Sequence, residues 1–212
     1  MSLPTLSQPE ERRGKGRPRC FDHDQALKQA LKIFWAKGYE PTSIAELCKA
    51  MKIKPPSLYA EFGNKARLFI EALNYYERTY WQAPAERFFA EPDVYKAIHE
   101  YFETAATILL SPETPCGCMV VLAAINISDT EHQVIEAITN LRLSTKTMFT
   151  DRLRKAIVDG QIPADTDVPS LARALNTFLE GLSIQARDGL FQSELKSIAA
   201  HAVKLLPQRA KK

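Results

Sequence analysis

The sequence predicts an all-α protein of about nine helices with no sheet. Three observations carry this. Apolar residues recur at i, i+3, i+4 and i+7 in almost every segment after residue 20. No sustained alternating run and no Gly-turn hairpin occurs. Capping residues, glycines and prolines stand where those periodic stretches begin and end. The 212 residues, 45% hydrophobic and 25% charged, can bury a sizeable core and exclude global disorder. The longest stretch without a charged side chain, residues 114–128, contains Pro115, Gly117 and Asn126. It falls short of the roughly 20 apolar residues that a spanning helix needs. No apolar block suited to secretion lies in the first 20 residues. The expectation is a cytoplasmic chain with no membrane partner.

Residues 1–19 hold three prolines, two glycines and five basic side chains, Arg17 and Arg19 among them, and little to bury. They are expected to form a flexible basic arm. Asp22 is a good N-cap, with Gln25 three residues on and Phe21 able to staple onto Ala26. Leu27, Ala30, Leu31 and Phe34 then form the stripe of a first helix, stopped at Gly38. Ser43 and Glu46 have capping-box spacing at the start of a second helix, which buries Ile44, Leu47, Cys48 and Met51. Pro55-Pro56 opens a short third helix to about Phe62, and Gly63-Asn64 breaks it. A fourth is expected from Lys65 through Tyr80.

Beyond these, Pro92 to Leu110 carries Val94, Ile98, Tyr101, Phe102 and Ala105 on one side. An elbow at Thr114–Cys118 precedes an apolar helix to about Ile127, and a long amphipathic stretch runs from Glu131 to Asp159. The last two helices are expected at about Pro169–Ala186 and Gln192–Leu206.

Charge is unevenly distributed. Residues 1–70 carry 13 Lys+Arg against 7 Asp+Glu, while the remainder is slightly acidic and the whole chain is +3. A basic first third suggests a polyanionic partner. Thr42 to Lys65 has the proportions of a helix-turn-helix, placing the DNA-reading unit at residues 20–66. Its second helix begins Lys54-Pro55-Pro56-Ser57, a cation and a hydroxyl at a positive helix end, with Leu58 and Phe62 turned inward. Tyr59 lies outside that pair, where a phenol can donate to a phosphate. Thr42 or Ser43 and Lys65 stand near helix starts, which attract phosphates.

Four sets of residues together resemble the N-terminal domain of the TetR/AcrR family of bacterial transcriptional regulators. They are Gly16-Arg17-Pro18-Arg19; Ala30-Leu31-x-x-Phe34-x-x-x-Gly38-Tyr39; Thr42-Ser43-Ile44-x-x-Leu47; and Ser57-Leu58-Tyr59-x-x-Phe62-x-x-Lys65-x-x-Leu68. Lys52 departs from the pattern, standing where the family commonly has glycine. In the C-terminal half, Thr114-Pro115-x-Gly117-Cys118 and Ile184-x-Ala186-Arg187-x-Gly189 are similar to the subgroup of ComR-type repressors. The resemblance implies that Lys54, Pro55, Pro56 and Ser57 enter the major groove. It also implies that Thr42, Ser43, Tyr59 and Lys65 contact phosphates, and that Arg17 and Arg19 reach the minor groove. Residues 67–212 become an effector-binding and dimerisation domain, and the partners a palindromic operator, a second copy of the chain and a small-molecule effector.

The last two helices carry the apolar residues expected at a dimer interface: Leu171, Leu175, Phe178 and Leu182, then Ile198, Ala202 and Leu206. Core closure within one protomer explains the same stripes. Tyr76, Tyr101, Phe102, Cys118, Met119 and Phe149 are candidates to line an effector pocket, although plain core packing is the commoner reason for any one of them to be there. Cys116 and Cys118, one residue apart, suggest a thiol or soft-metal switch as an alternative, against a plain structural role. A further alternative is an architectural DNA-binding protein without effector.

No metal site or cofactor is expected, since no C-x-x-C pair occurs and the four histidines are scattered. An enzyme is not expected either. The chain lacks a glycine-rich phosphate loop, H-E-x-x-H and G-x-S-x-G, and Ser193 and Lys196 spell S-x-x-K without companion motifs.

Overall fold

The computed structural model describes residues 22–123 and 125–209. The basic arm, with Arg17, Arg19 and Phe21, lies outside these described residues. Among the described residues there is no strand, and none of the helices is long and apolar enough to cross a membrane.

Helix α1 (His23–Lys37) starts as its cap dictates, the Asp22 carboxylate accepting from the Gln25 amide at 3.0 Å. It buries Leu27, Ala30, Leu31, Phe34 and Trp35 and ends on Gly38 at φ 89°. Helix α2 (Ile44–Met51) opens with the complete Ser43–Glu46 capping box. It stops at Lys52, which sits in the left-handed region at φ 56°, ψ 38°, its amide donating to the Cys48 and Lys49 carbonyls. A Cβ in that conformation is crowded by the carbonyl that follows, and glycine escapes the penalty. Lys52→Gly is therefore expected to raise stability by about 0.5–1 kcal/mol, after the extra freedom glycine gives the unfolded chain. A higher urea midpoint is the check.

Helix α3 (Pro55–Phe62) is pinned by Leu58 and Phe62. Helix α4 (Lys65–Tyr76) is capped by Asn64, whose side chain accepts from the Arg67 amide at 2.8 Å. Instead of ending near Tyr80, this rod continues through a π-helical turn (Glu77–Trp81) into α5 (Gln82–Ala90). The turn lies just ahead of Pro84. A proline inside a helix removes one backbone hydrogen bond and clashes with the carbonyl four residues back, and a wider turn there relieves the clash. Counting that rod once, nine helical rods are present among the described residues.

Helix α6 (Val94–Leu109) is capped by Asp93 and runs through the middle of the molecule. Helix α7 (Met119–Leu122) is shorter than expected, because the Ala123 carbonyl leaves the helix to accept the Tyr39 amide at 2.9 Å. The long helix α8 (His132–Val158) packs along α9 (Val168–Arg187). The buried Arg152 of α8 donates to the Glu91 and Pro92 carbonyls at 2.9 and 3.1 Å, tying α8 to the α5–α6 connection. Helix α10 (Gln192–Ala199) is followed by a separate 3₁₀ turn (Ala202–Leu205) rather than one continuous helix.

Candidate nucleic-acid interface and central cavity

The α2–turn–α3 unit presents one face outward. Leu58 and Phe62 are 0% and 1% exposed, while Tyr59 on the opposite side of the helix is 50% exposed. Lys54, Pro55, Pro56 and Ser57 are also exposed. The helix start differs from the expected anion site in one respect. Pro55 and Pro56 have no N–H, and the Ser57 amide donates to the Lys54 carbonyl at 2.9 Å. The first three positions therefore offer no free backbone donor, and any contact falls to the Lys54 ammonium, the Ser57 hydroxyl and the Tyr59 phenol.

Of the two capping candidates, Ser43 is exposed and Thr42 is not. Thr42 is 1% exposed and its hydroxyl donates to the Gly38 carbonyl at 2.6 Å, so the expected phosphate contact from this side chain is corrected to an internal role. The Ser43 hydroxyl accepts from the Glu46 amide at 3.2 Å, and the Ser43 amide donates to the Glu46 carboxylate at 3.0 Å. The Lys37 ammonium beside it, then the Ser43 donors, hold the Glu46 carboxyl down to about 2. Lys65 lies 4.3 Å over the Tyr39 ring and donates to the Glu40 carbonyl at 3.2 Å. Partial burial lowers the pKa of its ammonium.

A cavity of about 460 Å³ lies among α4–α5, α6, α7, α8 and α9. Its apolar walls include Trp81, Phe89, Tyr101, Met148 and Leu179, and its polar groups include Glu77, Arg142, Asn176 and Glu180. The Arg142 guanidinium donates to the Val120 carbonyl at 3.0 Å, and the Asn176 amide to the Glu180 carboxylate at 2.9 Å. Burial pushes the Glu77 carboxyl up to about 7. The Cys118 sulfur also lines the cavity and accepts from the Tyr76 hydroxyl at 3.2 Å, and burial pushes its thiol up.

Residues 26–72 match the family model of bacterial regulatory proteins of the tetR family, and residues 95–200 match that of the tetracyclin repressor-like C-terminal domain. The chain is 35% identical over 201 residues to the HTH-type transcriptional repressor ComR of Escherichia coli, covering 94% of this chain and 96% of ComR. It is 32% identical to the repressor BdcR of the same organism, covering 91% and 93%. The chain belongs to the TetR family.

Among solved structures, a cysteine mutant of the TetR regulator CifR in complex with 26-base-pair operator DNA is 38% identical. It has a TM-score of 0.85 and covers 90% of this chain and 100% of CifR.

Within this TetR protein, two of the six candidate pocket residues, Tyr101 and Cys118, line the cavity. Tyr76, Phe102, Met119 and Phe149 stand behind its wall, each 0% exposed, with Phe102 and Phe149 stacked at 5.9 Å. Periodicity shows that such residues are buried, not whether a void or a neighbour covers them. Glu77 escaped the sequence reading because an acidic residue on a helix ordinarily faces water. The two neighbouring thiols are separated: Cys116 is exposed on the elbow and Cys118 faces the cavity.

Four of the seven candidate dimer residues are correspondingly corrected. Leu175, Leu182, Ala202 and Leu206 pack into the protomer's own core, while Leu171, Phe178 and Ile198 are half-buried. The outward faces of the same elements carry Ala174, Thr177, Ile184 and Leu205, and a Cβ added at Gly181 would meet nothing within 4 Å.

Proposed function

We propose that this TetR protein is a cytoplasmic, homodimeric repressor that reads a palindromic operator through α3 and releases it when a small molecule fills the central cavity. The observation that carries this reading is the stitching of the cavity wall to the DNA-reading unit. The Trp35 indole N–H donates to the Gly117 carbonyl at 2.8 Å, and the Tyr39 amide donates to the Ala123 carbonyl at 2.9 Å. Both acceptors flank α7, whose Val120 lines the cavity. From α9, Arg187 donates to the Ala36 carbonyl at 2.7 Å. A ligand that displaces α7 tilts α1, and with it the spacing of two α3 helices set roughly 34–36 Å apart on one face of the duplex. Such a ligand couples the two sites only through different affinities for the two spacings. The repressor names of ComR and BdcR and the operator-bound CifR support the same reading.

A partner copy would meet the outward Ala174, Thr177 and Gly181, whose small side chains let two helices approach closely, and the exposed Ile184, which offers apolar area. Within each head, Lys54 is assigned to base reading, with Ser57 and Tyr59 beside it. Ser43 and Lys65 are assigned to phosphates, and Arg17 and Arg19 to the minor groove. The proline rings offer apolar contact to thymine methyl groups, so part of the specificity falls to DNA shape.

Selection from a random duplex pool, followed by fluorescence anisotropy, is the test. Enrichment of an inverted repeat bound by a dimer is expected, with affinity falling steeply in salt. Lys54→Ala is expected to reduce discrimination among sequences by about 1–3 kcal/mol, and Lys65→Ala to weaken all duplexes alike. A strictly monomeric protein that ignores every duplex at low ionic strength would overturn the proposal.

A further inference from the structure

Of the two carboxyls that line the cavity, Glu77 and Glu180, Glu77 is the less compensated. Its carboxyl has no hydrogen-bond or ion-pair partner among the described residues, and burial is the cause of its shift to about 7. The buried Trp81 indole N–H in the same lining also has no hydrogen-bond partner among the described residues. Two arginines line the same space, and neither is paired with Glu77 among the described residues. The Arg78 guanidinium lies 5.6 Å from the Tyr75 ring, and Arg142 from α8 is tied to the α7 carbonyls. Gln82, one turn on, donates to Glu86 at 2.9 Å. From α9, Glu180 adds a second carboxylate, partnered only by the Asn176 amide. Tyr101 from α6 and Cys118 from α7 face Glu77 as neutral groups, and its negative charge helps to keep both protonated. The Glu77 carboxyl thus faces Tyr101 and Cys118 in a lining that also holds the Trp81 ring and the apolar Phe89 and Met148.

We infer that the ligand of this cavity is an organic monocation, its charged nitrogen beside Glu77 under the Trp81 and Tyr101 rings and its apolar body directed toward Phe89 and Met148. The inference rests on the cavity being the effector site. An unpaired carboxylate in a desolvated recess gains most from a cation, and aromatic faces add to that gain. Since the cation pairs with the ionised carboxyl, its affinity rises as pH climbs through about 7, while a neutral ligand of the same shape shows no such rise.

The test uses the full chain and three probes that share an eight-carbon tail: octyltrimethylammonium, 1-octanol and octanoate. In calorimetric titrations at pH 8, the ammonium probe is expected to bind about tenfold or more tightly than the other two. Its affinity is expected to fall severalfold at pH 6. Glu77→Gln is expected to cut ammonium binding by about tenfold while holding 1-octanol within about twofold. Ala85→Trp, which puts a large ring into the cavity lining, is expected to remove binding of all three. Equal or tighter binding of the alcohol or the carboxylate, or loss of the pH dependence, overturns the cation while leaving the effector cavity in place. Failure of every probe to bind the unaltered protein overturns both. The probe ranking and the pH dependence need no variant, so they stand even if Glu77→Gln folds poorly.

Discussion

Gly117→Ala is expected to destabilise the protein by about 3 kcal/mol or more and to weaken operator binding with it. Gly117 sits at φ 83°, where L side chains are strained, and a Cβ built there would lie 2.4 Å from Leu122 Cδ1 and 2.8 Å from the Ser183 carbonyl oxygen. The leucine methyl can swing aside. The carbonyl belongs to the backbone of α9 and cannot. The same residue donates its amide to the Leu109 carbonyl at 2.8 Å and accepts from Trp35, so any shift loosens α6 and α1 together. Gly160 is the internal comparison: its φ is 66° and nothing lies within 4 Å of an added Cβ. Gly160→Ala is expected to cost only about 1 kcal/mol, the conformational part alone. Urea midpoints of the two variants, measured side by side, separate backbone strain from steric overlap. A Gly117→Ala protein as stable as Gly160→Ala would show that the approach of α9 to the elbow is slack.

Glu77→Gln is expected to make the protein more stable at pH 8 and to leave it little changed at pH 4.5. The carboxyl is raised from its ordinary 4.5 to about 7, so the folded state holds its proton more tightly than the unfolded chain does. That contribution is fully present below 4.5 and is lost as pH rises through 7. The difference corresponds to about 3 kcal/mol, and access of water through the cavity mouth reduces it to about 1–3 kcal/mol. Melting curves of both proteins across this range are the check. Parallel curves at every pH would mean that Glu77 finds a partner in solution.

The DNA-reading unit was largely legible because its determinants are local. Asp22, the Ser43–Glu46 pair and Pro55-Pro56 act within one turn of themselves, and α1, α2 and α3 begin within a residue or so of where those signals stand. Lys52 departs from a glycine position, and its left-handed backbone gives that departure a physical meaning. Long-range packing was not legible. The stripe containing Leu175 and Leu182 shows burial but not its partner, which proves to be the protomer itself. Thr42 stands beside a helix start, yet its hydroxyl is claimed by the Gly38 carbonyl. The π-helical turn that carries Glu77 and Trp81 arises where a rod must pass Pro84 without breaking, and no residue pattern announced it.

The bond from Trp35 to Gly117 also limits how this molecule can be recombined. The indole that fills the base of the reading head finds its acceptor 82 residues downstream, in the other half of the chain. A chimera that joins this head to the body of another regulator at residue 66 leaves that N–H stranded in an apolar interior, unless the donor body supplies a carbonyl at the same spot. In this protein the reading head is exchangeable together with the elbow, or onto a body that offers the same acceptor.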